Sequence, residues 1–139
     1  MTQINDPAVI ERLIRTPATW AVVGLSTNRA RAAYRVAAYL QGIGKTIVPV
    51  HPKAEAVHEA TGYATLADIP GDVAVDVVDV FVNADLAGAV VDEAIARGAR
   101  AVWLQLGVID NAAAQRALDA GLEVVMDRCP AIEGPRILR

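Results

Sequence analysis

Short runs of apolar, β-branched residues alternate along the chain with alanine-rich stretches whose apolar residues recur at helical spacing. Repeated strand–helix–strand units of this kind predict parallel pairing of the strands through right-handed crossovers. The runs are almost continuously apolar, which is typical of strands that helices cover on both faces of a sheet. The predicted fold class is therefore α/β, a doubly wound parallel sheet with strand order 3-2-1-4-5-6.

The apolar runs define six predicted strands, and the stretches between and before them define four helices. The strands cover residues 19–25, 46–50, a short segment around 63–64, 75–82, 101–106 and 122–126. Asp6 suits the N-cap of the first helix and Pro7 its first turn, because the N–H that proline lacks would be unpaired there anyway. The other helices cover residues 30–40, 86–97 and 112–120. In the helix 86–97, the side chains expected to face inward are Leu86, Val90, Ala94 and Ile95.

The predicted strand order also predicts where a ligand would bind. In an open α/β sheet, ligands bind beyond the carboxyl ends of the strands, where the winding reverses. In this order that point lies between the first and fourth predicted strands. The residues at the ends of these strands are Gly24, Leu25 and Ser26 on one side and Val80, Phe81 and Val82 on the other.

The loop after the first strand combines a glycine, small polar residues and cations. Gly24 lets the backbone turn tightly and approach a ligand. Ser26, Thr27 and Asn28 can cap the next helix, whose N-terminus suits a pyrophosphate. Guanidinium groups also match phosphate oxygens well. The arginines of this segment are Arg29, Arg31 and Arg35, which could equally form a solvated helix face.

Two absences narrow the class of ligand. The dinucleotide fingerprint GxGxxG is missing, because Ser26 and Arg29 stand where its second and third glycines would be. No acid follows the second strand before Glu55, whereas a nicotinamide-dinucleotide site usually has one there for the ribose 2′-hydroxyl. The basic residue Lys53 suits a ribose that carries an extra phosphate. NADP and coenzyme A both have one.

Composition excludes several classes of protein. The 139 residues are 54% hydrophobic and 21% charged, which excludes a disordered chain and fits one domain over residues 1–139. The net charge of −3 argues against a nucleic-acid partner, and no apolar run is long enough for a membrane helix. A single cysteine, Cys129, excludes an internal disulfide and a multi-cysteine metal site. The N-terminus has no apolar signal core, so we expect a cytoplasmic protein.

Taken together, the motifs resemble a known family. The segments VVGLS, YRVAAYL, IVPVHPK, VDVVDVF, AVWLQLGV and VVMDRC, spread over residues 13–129, are similar in order and spacing to those of the small bacterial CoA-binding proteins. That family resembles the N-terminal CoA-binding domain of the succinyl-CoA synthetase alpha subunit and of the ADP-forming acyl-CoA synthetases. The resemblance implies a Rossmann-like domain that holds coenzyme A at the switch point.

The resemblance also implies roles for single residues. Gly24, Leu25, Ser26, Thr27, Asn28 and Arg29 would form the loop under the pyrophosphate, with Arg31 as the family's loop arginine. Pro49, His51, Pro52 and Lys53 would border the 3′-phosphate, with Lys53 as its cation. Val80 and Phe81 would wall the adenine or the upper pantetheine, and Gln105 and Gly107 would approach the pantetheine arm. The family more often has Asn in place of His51 and Arg in place of Val82.

The chain offers few catalytic candidates. His51 is expected to be a ligand contact or a turn residue, and His58 a surface residue. Cys129 is either a small buried hydrophobe or a reactive thiol, which could form a disulfide with the CoA thiol. Asp76 and Asp79 are three apart on one strand, so they should not act as a pair.

The expected function is therefore non-enzymatic binding of coenzyme A or an acyl-CoA, a small-molecule ligand. No metal and no membrane are expected as partners, and a homo-oligomer is possible. The alternatives are a small NADP-linked or acyl-transferring enzyme, or an interaction subunit of a ligase-like complex.

Overall fold

Five parallel strands form the central sheet, in the order β2-β1-β3-β4-β5. A computed structural model describes residues 3–139 of the chain. The strands are β1 (Thr19–Val23), β2 (Thr46–Val50), β3 (Val77–Val80), β4 (Ala101–Leu104) and β5 (Glu123–Val125). The helices are α1 (Pro7–Arg15), α2 (Ala32–Gly42), α3 (Ala84–Arg97), α4 (Asn111–Asp119) and α5 (Pro130–Ile137). The predicted α/β class with a doubly wound parallel sheet is confirmed.

The predicted third strand is wrong. Tyr63 makes only an isolated parallel bridge with Val50, at the edge of the sheet beside β2. The chain turns away at once, because Thr65 accepts a hydrogen bond from the Asp68 N–H and caps a 3₁₀ turn over Leu66–Asp68. Without that strand, the predicted order 3-2-1-4-5-6 becomes the observed order of five. The change of winding direction stays where it was expected, between β1 and β3.

The first helix begins as predicted. The Asp6 carboxylate accepts a hydrogen bond from the Ala8 N–H at 2.9 Å, and Pro7 occupies the first turn. These groups satisfy or remove N–H groups that the start of a helix leaves without partners. The buried side chains of α1 lie on one face of the helix and are Val9, Ile10, Leu13 and Ile14.

Helices cover both faces of the sheet. On one face α1, α2 and α5 pack over a core that includes Trp20 and Trp103. Both tryptophans are fully buried, with ring centroids 5.5 Å apart, so they act in packing. On the other face α3 and α4 pack over the valines of β1–β4. The two layers leave the carboxyl ends of β1 and β3 free for a site.

Two further expectations about helices need correction. Leu86 is 56% exposed, because it lies in the first turn of α3 and away from the face formed by Ala87, Val90, Val91 and Ala94. Helix α5 was not predicted at all, since Gly134 and Pro135 interrupt its pattern. Within residues 3–139, none of the helices is long and apolar enough to cross a bilayer.

Candidate functional site

Gly24 and Phe81 meet where the winding of the sheet reverses. The Gly24 N–H donates to the Val50 carbonyl and the Phe81 N–H to the Val23 carbonyl, each at 2.8 Å. Gly24 has a φ of +103°, and a Cβ at this position would lie 2.6 Å from the Phe81 carbonyl oxygen. Only glycine fits both conditions without strain. The strand ends that the sequence assigned to the site are therefore adjacent.

The loop after β1 is folded by its own side chains. The Ser26 Oγ accepts from the Asn28 N–H at 3.2 Å, and the Asn28 Oδ1 accepts from the Ala30 N–H at 3.0 Å. These bonds shape a turn before the helix, so the expectation that Ser26, Thr27 or Asn28 caps α2 is wrong. Helix α2 begins at Ala32, and its N-cap Arg31 makes no side-chain capping bond. Leu25 is buried and anchors the loop in the core.

The arginines of this segment remain available to an anion. Arg29, Arg31 and Arg35 are exposed, and within residues 3–139 none of them takes part in an ion pair. The Arg29 guanidinium lies 5.8 Å from the centroid of the Tyr34 ring, which is cation–π distance. Arg35 lines the cavity described below.

One acid lies beside these cations. The Thr27 hydroxyl donates to the Glu55 carboxylate at 3.2 and 3.3 Å. Glu55 is the first acid after the second strand. The turn after β2 brings it back onto the loop, so the pocket for an anion is less positive than its arginines alone suggest.

The turn after β2 is held by His51. Its N–H donates to the Tyr63 carbonyl at 3.0 Å, and its Nδ1 accepts from the Lys53 N–H at 3.1 Å. His51 is therefore a turn residue here. Pro49 is buried within β2, opposite Val22. Pro52 and Lys53 are exposed at the tip of the turn.

His58 is not the surface residue that was expected. Its Nε2 lies 2.7 Å from the Tyr34 carbonyl oxygen, and its ring centroid is 4.3 Å from that of Tyr34. The side chain is half-buried against α2. It supports the helix that carries Arg35.

A cavity of about 490 Å³ opens beside the switch point, between α2, α5 and the ends of β3 and β4. Of the residues predicted for the site, Phe81 and Gln105 line it. Val80 does not, because its side chain is fully buried in the opposite core. Gly107 is not among the lining residues either, and its N–H donates to the Asp127 carboxylate at 2.8 Å.

Gln105 is the most deeply buried polar side chain that lines the cavity. The residue is only 6% exposed, and its Oε1 is buried without a hydrogen-bond donor. A buried acceptor left in this state costs on the order of 1–3 kcal/mol. Because this oxygen is closed to the cavity as well as to solvent, the cost belongs to the packing at the end of β4 and does not by itself indicate a ligand.

The wall formed by α5 could not be expected from the sequence, because that helix was missed. Ala131 and Ile132 of α5 line the cavity, and so does Cys129, its N-cap residue. Cys129 is 8% exposed, so it is buried toward the core and reaches the cavity. The one available signal was Pro130, a residue that favours the first turn of a helix.

Asp79 is buried but lies outside the cavity lining. Asp79 lies in β3 between Val22 of β1 and Trp103 of β4 and is fully buried. Neither of its carboxylate oxygens has a hydrogen-bond partner. Burial raises its pKa well above the usual value of 3.8. Asp76 precedes the strand and accepts a hydrogen bond from the Thr19 N–H, so the two acids do not act together.

Comparison with known proteins identifies the family of this chain. The model of the CoA binding domain matches residues 18–135. The chain belongs to this family of CoA-binding domains. The family that the sequence motifs suggested is thus confirmed, and its Rossmann-like fold agrees with the observed sheet.

Two relatives match this CoA-binding domain over nearly their full length. It is 30% identical over 127 residues to the uncharacterized protein YneT of Bacillus subtilis, which covers 91% of this chain and 93% of YneT. It is also similar to a hypothetical protein from Pyrococcus horikoshii, with 33% identity and a TM-score of 0.90. That alignment covers 100% of this chain and 99% of the other.

A larger enzyme contains a domain of the same fold. The dinucleotide-forming acetyl-coenzyme A synthetase 1 of Ca. Korarchaeum cryptofilum aligns with a TM-score of 0.71 at 22% identity. The alignment covers 85% of this chain but 27% of the synthetase. At this identity the likeness concerns the fold alone.

Proposed function

We propose that the protein binds coenzyme A or an acyl-CoA at the end of β1 and β3, and that it catalyses no reaction by itself. The observation that carries this proposal is the cavity lined by Phe81 and Gln105, which opens beside the loop after β1 and includes the exposed Arg35 in its wall. Its mixed lining suits the pantetheine arm of CoA, in which amide groups alternate with hydrocarbon segments. Membership of the CoA-binding family supports the same ligand.

The other residues of the proposed site would each contact one part of the ligand. The loop from Gly24 to Arg29 and the start of α2 would hold the pyrophosphate, since free N–H groups and guanidinium groups favour anions. Arg31 lies at the N-cap of that helix. Lys53 is exposed on the neighbouring turn and would pair with the 3′-phosphate. Phe81 would contact the adenine or the upper part of pantetheine.

The size of the cavity agrees with this ligand. Small-molecule pockets commonly have volumes of roughly 300–1,000 Å³, and this one has about 490 Å³. Phe81, Val82 and Val108 give it an apolar lining, which suits the hydrocarbon parts of pantetheine. Arg35 contributes a cation to the same wall.

The proposal of a non-catalytic role rests on the acid–base candidates that residues 3–139 place near the site. The Nδ1 of His51 already accepts a backbone hydrogen bond, and the buried Asp79 does not line the cavity. Incubation with acetyl-CoA tests this part, because a binding protein leaves the thioester intact. Turnover of the thioester by the protein would overturn it.

Isothermal titration calorimetry tests the binding. We expect CoA to bind under reducing conditions and 3′-dephospho-CoA to bind about tenfold more weakly, since one charge-assisted contact is worth roughly 1.5–3 kcal/mol. NADP serves as the competing ligand class. If neither form of CoA binds at millimolar concentration, or if NADP binds more tightly than CoA, the proposed function is wrong.

A further inference from the structure

The turn after β2 carries a cation and an acid two residues apart. Lys53 is exposed at the tip of this turn, and Glu55 is partly exposed beside the loop after β1. The Glu55 carboxylate accepts hydrogen bonds from the Thr27 hydroxyl at 3.2 and 3.3 Å. The turn therefore brings two opposite charges close to the loop proposed to hold a pyrophosphate.

The path of the turn fixes the position of Glu55. Ala54, between the two charged residues, has a left-handed φ of +51°. Gly62 packs so closely on the Glu55 carbonyl that a Cβ has no room there. The His51 Nδ1 accepts from the Lys53 N–H at 3.1 Å. The backbone thus directs the Glu55 side chain toward the loop, and the Thr27 hydroxyl holds its end.

The Glu55 carboxylate remains open to a ligand. Within residues 3–139 it takes part in no ion pair, although Arg29 and Arg31 belong to the loop that it contacts. Over the same residues, Thr27 is the one side chain that donates a hydrogen bond to it. No neighbouring cation therefore cancels its negative charge.

An acid at this place bears directly on the kind of ribose that can bind. In Rossmann-like sites, an acid after the second strand suits a free ribose 2′-hydroxyl, whereas an arginine accommodates a 2′-phosphate. No acid directly follows β2 in the sequence, which left both NADP and CoA as candidates. In the structure the turn supplies one, because it returns Glu55 to the loop after β1. CoA carries its extra phosphate on the 3′-oxygen, and NADP carries it on the 2′-oxygen.

We propose that Glu55 is a specificity-determining residue that makes the site reject a ribose with a phosphate on its 2′-oxygen. The proposal rests on the proposed function, because the bound nucleotide brings its ribose to the turn. Lys53 attracts a 3′-phosphate and Glu55 repels a 2′-phosphate, so the two side chains together select the CoA type of nucleotide over NADP.

The distance dependence of the Coulomb interaction makes this selection measurable. The repulsion between Glu55 and the pyrophosphate is common to every ligand of this type, so it cancels when two isomers are compared. A 2′-phosphate adds further negative charge close to the carboxylate. Solvent screens this repulsion only partly at short range. The ratio of the two affinities therefore isolates the effect of Glu55 on the ribose phosphate.

Calorimetry with CoA and its 2′-phosphate isomer tests the proposal. The two ligands have the same composition and the same phosphate groups, and differ only in the ribose oxygen that carries one of them. We expect the unchanged protein to bind CoA about a hundredfold more tightly, and Glu55→Gln to reduce this preference about tenfold by improving the binding of the isomer. Equal affinities in the unchanged protein, or a preference that Glu55→Gln does not reduce, would overturn the proposal.

Two further variants separate repulsion by Glu55 from attraction by Lys53. Lys53→Ala should weaken the binding of CoA and still leave it about tenfold tighter than the isomer, because the acid remains. If Lys53→Ala abolishes the preference, the selection belongs to Lys53 and the proposal is wrong. Glu93→Gln removes an exposed acid of α3 and should keep the full preference. A loss of preference in this control would assign the selection to net charge and contradict the proposal.

The same titrations distinguish this proposal from the proposed function. Binding of CoA and of its isomer with equal affinity contradicts the role of Glu55 and leaves CoA binding intact. Failure of both ligands to bind at millimolar concentration contradicts the proposed function and the role of Glu55 together.

Discussion

The Thr27 hydroxyl donates to the Glu55 carboxylate at 3.2 Å, which puts a negative charge on the loop proposed to hold a pyrophosphate. Glu55 reaches this position through a tight turn in which Ala54 has a φ of +51°. Gly62 packs so closely on the Glu55 carbonyl that no side chain fits there. The backbone therefore fixes the position of Glu55. Its carboxylate lowers the positive potential that Arg29 and Arg31 create.

Replacing Glu55 by Gln should strengthen CoA binding. Glutamine keeps an acceptor for the Thr27 hydroxyl and removes a charge that repels phosphate. Because Glu55 is partly exposed, solvent screens the repulsion, and we expect a gain of about three- to tenfold in affinity by calorimetry. The control is Glu93→Gln, which removes an exposed acid of α3. Weaker binding by Glu55→Gln would mean that Glu55 contacts the ligand and would contradict the placement of the pyrophosphate.

Lys53→Ala should remove the preference for the 3′-phosphate. Lys53 is exposed on the turn after β2, with its side chain available to a ligand. We expect the variant to bind CoA and 3′-dephospho-CoA with equal affinity, close to that of the unchanged protein for 3′-dephospho-CoA. Arg100→Ala makes the same change of charge at the opposite end of the sheet and should keep the preference. A preference that survives in Lys53→Ala would assign the phosphate to another cation.

Gly24→Ala should destabilise the fold and abolish binding. The new Cβ would lie 2.6 Å from the Phe81 carbonyl oxygen, and the φ of +103° is unfavourable for alanine. We expect a loss of about 2–4 kcal/mol in the free energy of unfolding, measured with urea. Gly121→Ala is a matched control, since Gly121 has a φ of +90° but no atom within 4 Å of the added Cβ. Equal losses in the two variants would show that the contact with Phe81 is unimportant.

Asp79→Asn should make stability less dependent on pH. Burial raises the pKa of Asp79 in the folded state, while the unfolded chain ionises it near pH 4. The contribution of Asp79 is therefore fully favourable below pH 4 and declines as the pH rises from there toward the folded-state pKa. Asparagine cannot ionise, so the variant should have the higher urea midpoint at pH 7 and no advantage at pH 3. The exposed Asp72→Asn is the control, and an advantage of Asp79→Asn that does not grow with pH would contradict this assignment.

The sheet could be predicted because its strands are apolar on both sides. Residues 46–50 were predicted with the observed ends of β2. The segment around Tyr63 was also predicted to be a strand, yet only Tyr63 itself pairs with β2. No strand forms because Thr65 caps a 3₁₀ turn directly after Tyr63. Strand propensity alone does not describe this competition between a capped turn and a strand.

Helix α5 was missed because Gly134 and Pro135 are poor helix formers. Tertiary packing explains Gly134, since the Tyr39 hydroxyl occupies the space that a Cβ would take. The helix packs against α1 and α2 and closes the cavity. Sequence periodicity carries no information on such a contact between distant segments.

The candidate site was predictable only where strand order defines it. Gly24 and Phe81 adjoin because parallel strands bring their carboxyl ends to one edge, so a correct topology is sufficient to place them. The turn after β2 brings Glu55 to the site, and the start of α5 brings Cys129 there. The sequence does not reveal the path of either segment. Gln105 was assigned to the site by the family resemblance, whereas its burial is seen only in the structure.

The proposed binding of coenzyme A is best tested by a crystal structure of the complex. We expect the pyrophosphate beside residues 24–29, the 3′-phosphate within reach of the Lys53 ammonium group, and the pantetheine arm in the cavity lined by Phe81 and Gln105. A ligand bound elsewhere, or an arm that leaves this cavity empty, would show that the proposed function is wrong.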